Sequence, residues 1–486
     1  MAKRTAVIDI GSNSVRMVIY EKTSRFAFRL LHEEKSRVRI SEHAYKNDGN
    51  LQEIPMQRAF DALENFLCIT DSFNVRKILC VATSALRDAP NKKDFIHKIK
   101  QNLKLNIKII DGEKEAYYGA LACANLLPKL HLSLSIDIGG GSTEFALIDE
   151  NKITNTLSLN LGTVRLKELF CDNANLDDAI AHIDSQLEFL DNIKAKTLVG
   201  IGGTFRAIAD AIMKDVGYPL EKIHGFEYKS LYFERFIAEI MKSDIDQLKN
   251  IGIKNNRLDV IKPGALILQR VIKKLKPKTL ITSGVGVREG VYLTDLLRNS
   301  KHTFPEHFNT SVRQILDMHV DNKTYANQLG TVSKKIFDLT YEYLNIDKKY
   351  RYELSIAAKL YSAGSSIHFY SKNKHAYTLI QNSLEYGFSH KSIMLIATLS
   401  KYTTSKLPAL THLKKYKALL PQEQTTNALS YIFSLSIALL SHRPRNIDFD
   451  LKFKDGEMFV VSQNNLYLSQ EAIKKIDCNQ KITINF

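Results

Sequence analysis

A ten-residue stretch near the start of this chain occurs twice. Thr5-Ala6-Val7-Ile8-Asp9-Ile10-Gly11-Ser12-Asn13-Ser14 recurs, 128 residues later, as Ser133-Leu134-Ser135-Ile136-Asp137-Ile138-Gly139-Gly140-Gly141-Ser142. In each copy an apolar strand runs into Asp-Ile-Gly. A small polar turn follows, and a second strand begins, over 15–20 in one copy and 144–149 in the other. A hairpin repeated at a domain-sized offset constrains the chain to two similar α/β halves facing one another.

The rest of the first 300 residues fits that frame. Residues 26–40 read as a further pair of strands, and 75–82 as another. Over 55–73 the apolar residues Phe60, Leu63, Phe66 and Leu67 have helical spacing, and 113–127 is an alanine-rich helix. Two more strand–glycine turns lie in the second half. Residues 197–204 open into a helix over 205–213, and 279–286 into one over 287–297. Beyond residue 300 glycine becomes sparse. Val312, Ile315 and Leu316, then Val332, Ile336 and Leu339, then Leu354, Ala357, Ala358 and Tyr361 mark helices. Segments 447–453 and 458–463 flank Lys454-Asp455-Gly456-Glu457, an Asp-Gly hairpin signal. The expected domains are 1–128, 129–303 and 304–486, the last helical with a small terminal β segment.

The formal net charge of +16 suits polyanionic partners, such as polyphosphate, nucleotides, nucleic acid or anionic lipid. No apolar stretch reaches the roughly 20 residues a bilayer span needs, so no membrane association and a cytoplasmic location are expected. Cys68, Cys80, Cys123, Cys171 and Cys478 are scattered and odd in number, which argues against a disulfide framework or a zinc site. No zinc-finger, RRM or base-reading helix signature supports specific nucleic-acid binding.

The two turns carry the candidate chemistry. Glycine lets backbone N–H groups approach phosphoryl oxygens, and Ser and Thr hydroxyls add donors. Gly11, Ser12, Asn13 and Ser14 would oppose Gly139, Gly140, Gly141, Ser142 and Thr143 as clamps on a phosphate chain. Asp9 and Asp137 end their strands beside these turns. A carboxylate there either holds Mg²⁺ against the phosphates or accepts backbone N–H bonds from the turn. Glu144 is a second metal-side candidate. Hydrolysis also needs a base to activate water. The segment Asp111-Gly112-Glu113-Lys114-Glu115-Ala116 offers carboxylates on a first helical turn, where they can equally be dipole partners. Spacing alone does not select Glu115. Arg87 could fork onto phosphate or serve as an ordinary ion-pair residue.

Taken together, A-V-I-D-I-G-S-N-S-V-R, A-T-S-A-L-R-D-A, D-G-E-K-E-A, S-I-D-I-G-G-G-S-T-E-F, L-G-T-V-R-L, G-I-G-G-T and R-L-D-V-I-K-P-G-A resemble, in order over residues 5 to about 295, the exopolyphosphatase/guanosine-pentaphosphate phosphohydrolase (Ppx/GppA) family of the actin–hexokinase–Hsp70 superfamily. The resemblance implies two actin-like (ribonuclease H-like) domains with an interdomain cleft, then an all-helical, degenerate HD-like domain and a small C-terminal β appendage. It implies that Glu115 is the catalytic base, that Asp137 and Glu144 attend Mg²⁺ and water, and that Arg87 contacts substrate phosphate. Gly202, Gly203 and Thr204 match the superfamily's nucleotide-side turn, and Arg257 with Asp259 a motif lining the cleft. Family substrates are long-chain polyphosphate and guanosine pentaphosphate, and a homodimer is expected.

The helical region departs from the HD metal-binding pattern. Tyr361-Ser362 stands where a His-Asp pair would sit, Tyr325 replaces a histidine, Tyr402-Thr403 replaces a tyrosine–histidine pair, and His375 is left alone. That domain is therefore expected to be metal-free. A small-metabolite kinase and a non-catalytic polyphosphate or alarmone sensor are the alternatives to a hydrolase.

Overall fold

A computed structural model describes residues 3–173, 175–404, 406–476 and 482–486, with the Asn173 side chain undefined. Cys478 lies outside the described residues. The chain divides into two compact units, Met1–Phe308 and Asn309–Phe486.

The first unit holds two sheets. In the first sheet, β1 (Arg4–Ile10) lies between β2 (Val15–Lys22) and β4 (Lys77–Ala82), with β3 (Phe28–Ser36) and β5 (Ile107–Ile109) outermost. Pairing is antiparallel across β1–β2–β3 and parallel across β1–β4–β5. The second sheet contains β6 (Ser133–Ile138), β7 (Thr143–Asp149), β8 (Lys152–Leu159), β9 (Thr197–Ile201), β10 (Phe226–Lys229) and β11 (Thr279–Thr282). Its order, β10-β11-β9-β6-β7-β8, repeats the first sheet's scheme, with an antiparallel β6–β7–β8 meander and parallel β6–β9–β11. The sequence repeat is thus a repeat of topology. β1 and β6 are central strands buried along most of their length: β1 carries the apolar run Ala6-Val7-Ile8, and β6 buries Ser133 and Ser135 along with Leu134 and Ile136.

One expectation needs correction. Residues 26–40 form a single strand, β3, rather than two. Beyond Ser36 the chain leaves the sheet, and Arg39 and Ser41 donate backbone N–H bonds to Asn13 O (3.1 Å) and Ser12 O (3.2 Å). The segment braces the first polar turn instead of extending the sheet.

In the second unit, helices including Lys323–Thr340, Arg351–Leu360, His390–Lys401 and Glu423–Leu439 bury a core with Leu329, Ile336, Leu354, Ile396 and Phe433. The apolar 431–440 stretch lies in the buried Glu423–Leu439 helix. The Asp-Gly signal forms a two-residue hairpin between β12 (Phe449–Lys454) and β13 (Glu457–Ser462). Asp455 (φ 53°) and Gly456 (φ 86°) supply the left-handed backbone this turn requires. A third strand, β14 (Thr483–Asn485), adds in parallel to β13. Tyr325 and Tyr361 are buried; Arg443 lies 4.2 Å from the Tyr325 ring centroid and Lys372 lies 4.9 Å from that of Tyr361. Tyr402 packs edge-on against His412, and Thr403 accepts from Asn373 at 2.7 Å.

Candidate active site

Both repeated turns close the same way: Gly11 N–H donates to Ser14 O at 3.2 Å, and Gly139 N–H to Ser142 O at 2.9 Å. Strand pairing sets Asp9 opposite Arg16 and Asp137 opposite Glu144. Directly paired residues project from the same face of a sheet. Each hairpin therefore delivers an acidic residue and its partner to one cleft in the first unit. That cleft is lined by Asp9, the 11–14 turn, Asp137, Gly139, Gly140, Ser142, Glu144, Glu115, the Gly202-Gly203-Thr204 turn and Arg257.

Glu115 arrives on the Gly112–Leu126 helix, capped by Asp111, which accepts from Lys114 N–H at 2.7 Å. Gly112 sits so close to Ser158 of β8 that any Cβ would overlap that side chain, and Gly290 of the Val287–Leu296 helix touches the Tyr118 backbone in the same way. These two glycines allow the helix to settle between β8 and its neighbour, with Glu115 buried beside Glu144. Arg87 donates to Glu115 at 3.0 Å, and Ser158 Oγ donates to Glu144 at 3.0 Å.

Burial raises the Glu115 carboxyl well above the usual range; the Glu144 charge adds to this and Arg87 opposes it. Burial likewise pushes Glu144 up to about 8, opposed by the Ser142 and Ser158 hydroxyls and reinforced by Asp137. Asp137 is pushed up to about 6 by burial, against the attraction of Arg206, and Asp9 is raised for the same first reason. Two buried carboxyls side by side hold a proton that neither would keep in water.

Several assignments change. Thr143 is fully buried and its hydroxyl donates to Leu161 O, so it is spent within the fold. A Cβ at Gly141 would crowd the Tyr45, Ser84 and Ser12 hydroxyls, so its glycine character serves that packing. Arg87 engages the protein first: its guanidinium holds Glu115, with Ile110 O at 3.3 Å and Ser142 Oγ at 3.5 Å. Asp259, grouped with Arg257 from the sequence, instead binds Arg37 (2.6 and 2.7 Å) and Arg39 (2.7 Å).

Sequence reasoning missed Arg16, Arg206, Arg288 and Glu289, which also line the cleft. Glu289 accepts from Tyr20 Oη at 2.5 Å and Gly286 N–H at 2.7 Å, Arg288 donates to Glu33 at 2.7 Å, and Arg206 donates to Ser283 O at 2.8 Å. Among the described residues, Arg16 and Arg257 have no hydrogen-bond or ion-pair partner. Arg257 lies flat against Gly203, and burial followed by the crowding of Arg288, Arg206 and Arg257 lowers Arg16 to about 10. A signal was available for Arg16: in the repeat it is the counterpart of Glu144.

The donor set suits a hard cation. Asp9 Oδ1 is buried without a partner, and the neighbouring carboxyls are oxygen ligands held above their ordinary range by burial. Among the described residues the only three ligand atoms that converge belong to His131, Asp149 and Glu150 at the surface.

The family model described as Ppx/GppA phosphatase family matches residues 18–299, and the family's domain III model matches 309–481. The chain belongs to the Ppx/GppA phosphatase family. Along nearly its whole length it is similar to the guanosine-5'-triphosphate,3'-diphosphate pyrophosphatase of Photobacterium profundum, with 24% identity over 98% of this chain and 95% of that protein. A bifunctional 3-dehydroquinate synthase/phosphatase of Fusobacterium nucleatum is 31% identical over 57% of this chain, which spans only 44% of that longer relative. Among solved structures, an exopolyphosphatase from Cytophaga hutchinsonii (26% identity, TM-score 0.56) covers 62% of this chain and 100% of its own. The Aquifex aeolicus family member (27%, TM-score 0.52) covers 62% and 99%. The actin-like fold of the family accounts for the duplicated sheets. Among the described residues no helix is long and apolar enough to cross a membrane.

Proposed function

We propose that this protein is a Mg²⁺-dependent phosphohydrolase that releases terminal orthophosphate from inorganic polyphosphate, guanosine pentaphosphate or both. The observation that carries the reading is the charge make-up of the cleft: Glu115 buried beside Glu144, together with the unpartnered guanidiniums of Arg16 and Arg257. The activities of the Photobacterium and Cytophaga relatives support the same chemistry.

Arg16 and Arg257 bind the anionic chain, and the N–H groups of Ser12, Asn13 and Gly140, unlike those of Gly11 and Gly139 that close the turns, hold its terminal phosphates. Glu115 takes a proton from water. The water oxygen bonds to the terminal phosphorus as the bridging P–O bond breaks in line, and the shortened chain leaves with the electron pair. Arg87 orients Glu115 and keeps part of its ionised population. A bound Mg²⁺ would neutralise phosphate oxygens, and Asp9, Asp137 and Glu144 are the residues that would hold it. The homodimer expected for the family belongs to the same reading and is checked by sedimentation.

The test is orthophosphate release with Mg²⁺ from long-chain polyphosphate and from guanosine pentaphosphate in parallel, with Glu115→Gln as control. Release from either, reduced at least ~100-fold in the variant, is expected of a lost general base. No release from either substrate would sink the hydrolase and leave a sensor or an ATP-dependent kinase.

A further inference from the structure

A second cavity lies at the other end of the first sheet. It opens between the start of β1, the β2–β3 turn and the end of the Val287–Leu296 helix. Its volume is about 360 Å³, against the roughly 10–15 Å³ that one water needs. Seven basic side chains line it, with one carboxylate, Asp295.

The acidic side of this balance is already spent. Lys77 and Arg298 share Asp295 at 2.5 and 3.2 Å, and Arg4 is bound by Glu21 at 2.9 Å. Lys3, Lys22, Arg25 and Arg76 remain, and among the described residues none has a carboxylate partner. Lys22 is partly buried, and burial, then the charges of Lys3, Arg298 and Arg25, lower its ammonium below the ordinary lysine range. Like charges gathered around one concavity are destabilising unless an anion occupies it.

The surroundings restrict that anion. No ring offers a platform for a nucleobase: Phe26 is covered by Arg25 at 5.0 Å and packs on Phe308, while Tyr292 is buried against Tyr20 and Phe28. Dense negative charge without a stacking group describes a phosphate chain. The cavity is also separate from the cleft, since Arg16 and Lys22 lie six residues apart on β2, about 20 Å at the usual strand rise.

We propose that this cavity is a second binding site, specific for an inorganic oligophosphate chain and gripped by Lys22, Arg25 and Arg76. The site does not depend on the cleft being hydrolytic. Titration calorimetry of the full chain with tripolyphosphate, in EDTA, is expected to give two sites. Lys22→Glu/Arg76→Glu weakens one at least ~10-fold and spares the other, whereas Arg16→Ala/Arg257→Ala does the reverse. Lys22→Arg/Arg76→Lys, which keeps the charges, retains both sites and shows that the fold tolerates change there. The proposal is overturned if the charge-reversed variant, folded by thermal melt, binds tripolyphosphate like wild type. It is also overturned if guanosine triphosphate binds this cavity more tightly than tripolyphosphate. Orthophosphate release from short substrates is expected to be unchanged in Lys22→Glu/Arg76→Glu, so a failure here leaves the reading of the cleft standing.

Discussion

The β1–β2 and β6–β7 hairpins share a turn, a register and a strand-end aspartate, yet they do opposite electrostatic work. Across from Asp9 stands Arg16; across from Asp137 stands Glu144. The first hairpin therefore brings an unpartnered cation to the cleft. The second brings a carboxyl that burial and Asp137 hold above its ordinary range, next to Glu115. A duplicated scaffold supplies two equivalent backbone clamps. Under the proposed function, divergence at one paired position separates a residue that holds phosphate from one that attends the water-activating glutamate.

Making the hairpins alike should have the largest effect. Glu144→Arg would place a cation beside Glu115, pair with it and remove the second carboxyl. Orthophosphate release should fall at least ~1,000-fold, within the ~10²–10⁴ range of a lost acid–base group; activity within tenfold of wild type would dismiss the polarity argument. The converse change, Arg16→Glu, should act on the other side. The KM for phosphate chains should rise at least tenfold with a smaller change in kcat, and Arg16→Lys should restore part of the affinity because a point charge lacks the guanidinium fork. Steady-state kinetics on both substrates separates the two effects.

A subtler change bears on how Glu115 is positioned. Gly112→Ala would push the helix off Ser158 and lower kcat by roughly 10-fold, as expected when a catalytic group moves by about 1 Å. A matched Ser158→Ala change, which removes the hydroxyl but not the Cβ, should not rescue it. Arg87→Ala should shift the rate profile rather than abolish activity. Loss of the nearby cation raises the pH at which Glu115 ionises, so the acid limb of kcat/KM moves to higher pH.

The smallest effect concerns stability. Asp137 (about 6) and Glu144 (about 8) lie above their unfolded values near 4, so the folded state binds these protons more tightly. Their stabilising contribution is complete below about pH 4 and is lost as pH rises through 6 and then 8. Metal-free protein should melt at progressively lower temperature between pH 5 and 8.5. Glu144→Gln should flatten the upper part of that slope. Arg16 lowers Asp137 by its charge, so Arg16→Gln should instead move the lower part of the slope to higher pH and serve as the contrasting hairpin.

Local signals revealed much of the fold. Apolar strands ending in Asp-Ile-Gly, helical spacing after residue 300 and the Asp-Gly pair each act through a few neighbouring residues. The 26–40 segment was misread because leaving the sheet at Ser36 depends on its backbone meeting the 12–13 turn. The missed arginines carried weak local marks. Arg206 and Arg288 follow glycine turns by four residues, at or near the first turn of a helix, where a cation opposes the helix dipole. A residue placed against that local preference is one a distant partner must justify, and both face the cleft.

By itself the sequence determined the duplicated α/β scaffold, the glycine turns and their aspartates, and the helical second unit with its hairpin. These follow from periodicity, glycine's backbone freedom and turn chemistry, all of which act over short spans of chain. Only the tertiary structure decided what each charged side chain does. It gave Arg87 to Glu115, Asp259 to Arg37 and Arg39, and the Thr143 hydroxyl to the fold, and it left Arg16 and Arg257 unpartnered in the cleft. A charge takes its role from neighbours within a few ångströms, and here those neighbours lie up to 269 residues away along the chain.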